Sequence, residues 1–450
     1  MKRQVAQPLK DAVQTAFTML SFALILLLVL CTPFVEMSGE VSAAQSSYRI
    51  YGYGLFGLLQ IALIALRGWE RSWRIFLGAL TPFLVWAALS VFWTQHVDLT
   101  SKRLILLTFI FLGTFGGVCA LSHERSLSIL RIVLVAALVL NLITVLIAPD
   151  LGTHYMQGGH LWRGLMAHKN IAGMLCAFTV IAFTFDDIKT PLPPRLLVSA
   201  GALVFLYFSW SKTALLALPV SLMAGGVIVL IGSRKGSLST IPRKRVVTAS
   251  FAMLAVAFFA LVVLTVQRDL FLSFTNDTST LTTRGAIWRP MIQFYLDHPL
   301  LGSGYGAYWD ASDTLIDPQA NKELWKNVDQ GHNGYLDLLV QVGLPGLMLA
   351  LYAVVVWPAG VIADMIGKCP QRAALVVAIL IFSLIENFSE SSLLADDALG
   401  NAFLLIGLAY AHRFALRSGR RTNTGNRVDM INAAQLRSGR QERHQSLVEN

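Results

Sequence analysis

Apolar residues in this chain come in long runs separated by short polar breaks. Runs long enough to cross a bilayer, roughly 17–25 residues each, occur about twelve times. Their centres fall near Leu26, Leu59, Phe83, Leu112, Ala137, Phe178, Phe205, Ser221, Phe258, Leu349, Ile379 and Leu405. The pattern predicts an all-α, polytopic membrane protein of about twelve spanning helices. One break differs from the rest. From Arg268 to Gly346 there is no membrane-length apolar run until the chain reaches GHNGYLDLLVQVGLPG, and the stretch gathers Arg284, Arg289, His298, Lys322, Asp329 and His332. A long polar loop on an otherwise apolar scaffold is where function is expected.

The division that follows is helices one to nine over residues 1–267, a large loop with short helices over 268–334, helices ten to twelve over 335–414, and a tail over 415–450. The tail is basic and rich in Ser, Asn and Gln, too polar to bury a core, and is expected to be disordered. The runs near Phe205 and Ser221 are separated only by FSWSKTAL and predict a tight hairpin with its tip at Ser209–Thr213. A second polar loop, Pro149–Asn170, carries His154, His160, Arg163, His168 and Lys169.

Composition agrees. At 55% hydrophobic and 14% charged, with a mean hydropathy of +0.59, the chain lacks the polar sequence that a soluble enzyme of 450 residues needs for its surface. The first run, about Val13–Val35, is too long for a signal-peptide core and reads as a retained span. Cys31, Cys119, Cys176 and Cys369 lie in apolar runs or in a short basic loop, so no disulfides are expected. The net charge of +10 does not indicate nucleic acid, because its distribution follows topology. With Met1 in the cytoplasm, 25 of the 36 lysines and arginines fall in cytoplasmic segments. The positive-inside rule then puts both ends in the cytoplasm and the Arg268–Gly331 loop outside.

Within the loop, Ile287, Trp288, Met291, Ile292 and Tyr295 repeat at helical spacing after Arg284, and Pro299 closes the segment. The expectation is a short helix along the outer membrane boundary, with Trp288 as its anchor and Arg284 at its start. Either Arg284 meets an anion there or it pairs with lipid phosphate. GSGYG at Gly302–Gly306 follows no strand, which argues against a nucleotide loop and for a turn or a close approach to a ligand. His332 or Asn333 precedes a spanning helix, where Asn can cap and a helix N-terminus keeps histidine neutral, the form a general base needs. The alternative for His332 is a capping or satisfied histidine. Gly343, Pro345 and Gly346 permit a bend. Asp310, Asp313, Asp317 and Asp329 lack metal-ligand spacing and read as loop-solvating residues; Glu386 and Asn387 either line a cavity or pack.

HNGYLDLLVQVGLPGL, TTRGAIW, HPLLGSGYGAYW and RGLMAHKNIAG resemble the integral-membrane O-antigen ligase and exopolysaccharide polymerase family over about Arg163–Leu349. The resemblance implies transfer of a glycan carried on undecaprenyl diphosphate, with inversion and with no nucleotide sugar, metal or other cofactor. The site would face the periplasm at the bacterial inner membrane. Membrane lipids and other polysaccharide assembly and export proteins are the remaining partners it implies. By match, His332 and Arg284 correspond to the family's loop histidine and loop arginine. Lys212 falls where many members have arginine, which keeps the charge and loses the planar fork, and Gln341 stands where many have Glu.

Arg163, Lys169, Lys212 and Arg284 from separate outside segments are thus expected to bind one diphosphate, with His332 taking the proton of the attacking hydroxyl. For Arg163 and Lys169, interfacial anchoring is an equal alternative. The leading expectation is a repeat-unit polymerase for an exopolysaccharide, and the rival within the family is a ligase to a lipid A core. The rival from another class, a glycan flippase, would need intramembrane charges or broken helices around a midplane site.

Overall fold

Uniformly apolar runs leave backbone amides no partners but one another, and helices result. The computed structural model describes residues 2–36, 43–67, 78–156, 159–185, 188, 190–233, 242–267, 284–309, 330–396 and 398–417. In chain order the helices are α1 (Lys2–Glu36), α2 (Ala43–Arg67), α3 (Thr81–Leu89), α4 (Val97–Ala120), α5 (His123–Ile147) and α6 (Lys169–Thr184). They continue as α7 (Leu192–Ser209), α8 (Lys212–Ser233), α9 (Arg243–Val266) and α10 (Arg284–Asp297). Next, α11 (Gly334–Leu351) runs through a wider turn into α12 (Trp357–Ile366), and α13 (Pro370–Glu386) and α14 (Leu399–Arg417) follow.

Each of the twelve expected centres falls on a helix, but only seven helices among the described residues are long and apolar enough to span a bilayer. These are Asp11–Leu30, α4, α5, α7, α8, Gly334–Ile366 and α14. Three others are shorter apolar helices, Tyr51–Leu63, Thr81–Phe92 and Lys169–Thr184. The basic tail beyond Arg417 lies outside the described residues, as do Asp310, Asp313, Asp317, Lys322 and Asp329.

The protein is not purely helical. In the Pro149–Asn170 loop, β1 (Thr153–Met156) pairs antiparallel with β2 (Gly159–Trp162), Thr153 opposite Trp162. Trp162 then stacks on Phe208 of α7 at 4.5 Å and meets Phe205 edge-on. This fastens the hairpin to the bundle.

Two packing relations set the position of the site. Helices α8 and α13 lie antiparallel along their lengths: Gly232 sits against Pro370 at one end, and Thr213 reaches Ser389 at the other. Helix α11 is broken two to three turns from its start. Gly343 has φ 68° and ψ −177°, a conformation that only glycine holds without strain, and a Cβ there would run into the Leu300 carbonyl. At the opposite end, Arg131 and Arg195 donate to the last carbonyls of α6, at Ala182, Phe183 and Thr184, as C-terminal caps. Those basic residues therefore also hold helix ends.

Candidate functional site

The start of α11 is built from local chemistry. Asn333 caps the helix, its side-chain oxygen accepting from Tyr335 N and Leu336 N, each at 3.1 Å. The preceding residue, His332, has φ 49°, a left-handed conformation uncommon for anything but glycine. It persists because both neighbours are pinned. Gly331 N donates to the Asp337 carboxylate, and the Gly331 carbonyl accepts from Trp288 Nε1 at 2.8 Å. Asn333 N donates to Ser391 Oγ at 3.1 Å, and one residue further on Gly334 N donates to the Asn387 and Glu390 carbonyls, each at 2.9 Å. Asp337 is buried, and it also accepts from Trp309 Nε1 at 2.6 Å and from Ser391 Oγ.

This arrangement bears on two expectations. Trp288 has its indole N–H on the Gly331 carbonyl, which fastens the turn that carries His332. Of the two readings of GSGYG, the turn holds, and it packs closely against α11. Ser303 N and Gly304 N donate to the Val340 and Gln341 carbonyls at 2.9 Å, and Leu344 N donates to Pro299 O at 2.8 Å. Positive φ at Gly302, Gly304 and Gly306 lets the segment wrap the break in α11, and Trp86 Nε1 takes the Val342 carbonyl at 2.9 Å. The carbonyls freed by the break at Val340, Gln341 and Val342 are therefore bonded within the protein. Gln341 holds the same segment, its side-chain oxygen accepting from Gly306 N at 2.8 Å.

The segment after α13, residues 387–392, joins the remaining pieces. The Ser389 carbonyl accepts from Arg284 Nη2 at 3.1 Å, and its hydroxyl lies 2.6 Å from that of Thr213, next to Lys212. One oxygen of Glu390 accepts from Asn170 Nδ2, and the other lies 3.9 Å from His332 Nδ1. Lys169 donates to the Trp210 carbonyl at 3.3 Å, and its charge interacts with those of Lys212 and Glu390. Trp210, at the hairpin tip, is left-handed (φ 50°) and exposes that carbonyl. Beside Lys169, burial holds His168 below the ordinary histidine range against the opposing pull of Glu390. The neutral ring is the form whose Nδ1 accepts from Asn170 N.

Lys169, Lys212, Arg284 and His332, from four stretches of the chain, thus meet around Ser389 and Glu390. Arg163 does not join them: its guanidinium bonds the Leu151 and Ala167 carbonyls and braces its own loop. Sequence reasoning missed Asp337, Glu390, Asn170 and the Ser389–Ser391 run. Of these, only ENFSESSLLADDALG carried a signal, as an acidic and serine-rich break between two apolar runs.

Behind this mouth lies a cavity of about 320 Å³ between α4, α6, α11 and the segment after α13. Glu390 and Asp337 belong to its wall, as do Glu386, Gln341, and Arg103 with its partner Asp396 at 2.9 Å. Glu386 is buried, so cavity lining and packing, the two readings open for it, both hold.

Residues 197–351 match the family model described as O-antigen ligase. The matched region contains Lys212, Arg284 and His332, and it ends before the segment that carries Glu390. No curated protein matches the chain.

Proposed function

We propose that this chain, which carries the domain of the O-antigen ligase family, polymerises oligosaccharide repeat units carried on undecaprenyl diphosphate. The reaction takes place on the periplasmic face of the bacterial inner membrane, in exopolysaccharide synthesis. The observation that carries the reading is the meeting of Lys169, Lys212, Arg284 and His332 around Ser389 and Glu390. A diphosphate leaving group gains negative charge as its bond to the sugar breaks, and cations already in position stabilise that charge. Arg284 uses one N–H on Ser389 O and keeps the rest of its fork for phosphate oxygens. Lys212 is exposed at the same mouth.

His332 supplies the base. Its Nδ1 faces the Glu390 carboxylate, which leaves Nε2 to take the proton of an acceptor hydroxyl. That oxygen attacks the anomeric carbon from the face opposite the diphosphate, so the configuration inverts. The bond to the lipid diphosphate breaks with its electron pair, and Glu390 stabilises the imidazolium that forms. A transporter reading would want the freed backbone of a broken helix as an ion or substrate site. Here those carbonyls are already hydrogen-bonded.

Deleting the gene and analysing lipid-linked intermediates tests the assignment. Single undecaprenyl-linked repeats accumulate if the protein polymerises. Accumulation of long undecaprenyl-linked polymer would instead make it a ligase.

A further inference from the structure

The cavity behind His332 has a property that the transfer mechanism does not use. Its wall is anionic, with Asp337, Glu386, Glu390 and Asp396 against Arg103, whose guanidinium is already paired with Asp396 at 2.9 Å. A phosphate or a carboxylate is repelled from such a space, so it is not the diphosphate site. The carboxylates differ in what is left to them. Asp337 is saturated by Trp309, Gly331 and Ser391. Glu386 has one oxygen, Oε2, held by Ser392 Oγ at 2.8 Å and by Asn387 Nδ2 at 3.2 Å. Its other oxygen, Oε1, has no hydrogen-bond partner among the described residues, although the residue is only 2% exposed and lines the cavity. A buried acceptor left unmatched is costly unless a ligand supplies the donor.

We propose that this cavity takes the uncharged terminal sugar ring of the acceptor glycan, with Glu386 Oε1 accepting from a ring hydroxyl. Three features fit that ligand. Hydroxyl groups are donors that carry no charge, so they satisfy a carboxylate oxygen in an anionic wall. Gln341 adds an amide NH2 on the same wall, its oxygen being held by Gly306 N. The volume, about 320 Å³, is at the small end of ligand pockets, roughly 300–1,000 Å³. The acceptor rather than the donor is assigned because Glu390 is shared: it lines the cavity and faces His332, the base that must reach an acceptor hydroxyl. The inference rests on the transfer reading above and adds to it where specificity is read.

The test uses glycan released by mild acid from the lipid carrier of a deletion strain, which is free of phosphate. Titrated into the purified full-length protein, its binding is followed by tryptophan fluorescence; Trp309 lies in the cavity wall. Glu386→Gln, isosteric, is expected to weaken binding by roughly three- to tenfold, the scale of one hydrogen bond. A second arm needs no variant. The same glycan with its primary hydroxyls oxidised to carboxylates is expected to bind wild-type protein at least roughly tenfold more weakly, because like charges meet. Unchanged affinity in Glu386→Gln, or equal or tighter binding of the oxidised glycan, overturns the proposal. Failure of the transfer reading shows elsewhere, as full turnover by His332→Ala.

Discussion

His332 combines a left-handed backbone, a position one residue before a capped helix and a carboxylate 3.9 Å from Nδ1. Its replacement by Ala is expected to lower turnover by roughly 10²–10⁴-fold, the range for a general base, while the protein still inserts. Turnover assays on membranes with matched protein levels check this. Arg284→Ala is expected to disable transfer, and Arg284→Lys to restore it only in part, because the charge stays and the fork is lost. Lys212→Arg is expected to keep activity and Lys212→Ala to lose it. For Arg163 the expectation is now structural: with both its contacts on the carbonyls of its own loop, Arg163→Ala should lower melting temperature more than turnover. At this scale the sequence was legible where chemistry is local. Asn333 caps within three residues of itself, and the motif GHNGYLD displays it. Glu390 joins the site only through Asn170, 220 positions away, and through His332, so the acidic, serine-rich break that holds it marked the segment without marking the role.

The elements repeat this contrast. Gly343, Pro345 and Gly346 announced a bend, and the chain breaks at Gly343. What the sequence did not disclose is how the break is filled, because Ser303, Gly304 and Trp86 reach it from elsewhere in the chain. The β1–β2 hairpin was missed because four-residue strands in a histidine-rich loop carry little periodic signal. Gly343→Ala is expected to destabilise the protein by about 1–3 kcal/mol, the scale of forcing an ordinary residue into a strained backbone region, with extra loss from the Leu300 carbonyl. Thermal unfolding in detergent measures it, and an unchanged midpoint would mean that the break is not constrained by its surroundings. Replacing Trp288 by Phe keeps the ring and removes the bond to Gly331 O. The account expects turnover to fall more than stability, since the turn it holds carries His332.

For the molecule as a whole, each of the twelve apolar runs has its centre on a helix, and the distribution of the basic residues carries the expectation that the site lies outside. The number of spans was less legible, because run length does not say where a helix stops, as the short Thr81–Phe92 and Lys169–Thr184 helices show. Topology is open to direct test. In a background without native cysteines, Tyr155→Cys on the hairpin and Glu124→Cys at the other end of α5 are both exposed. Only the first should react with an impermeant thiol reagent in intact cells, and the reverse result would put the site in the cytoplasm.

The most direct test of the central claim is reconstitution of the purified protein with undecaprenyl-diphosphate-linked glycan in excess EDTA. Released undecaprenyl diphosphate and new glycosidic bonds are counted together. Placing Lys169, Lys212 and Arg284 at the diphosphate and His332 at the hydroxyl predicts one bond formed per carrier released, without added metal, and neither product from His332→Ala or Arg284→Ala. Release that proceeds at the wild-type rate in both variants, or turnover that appears only when Mg²⁺ or Mn²⁺ is restored, would contradict the account.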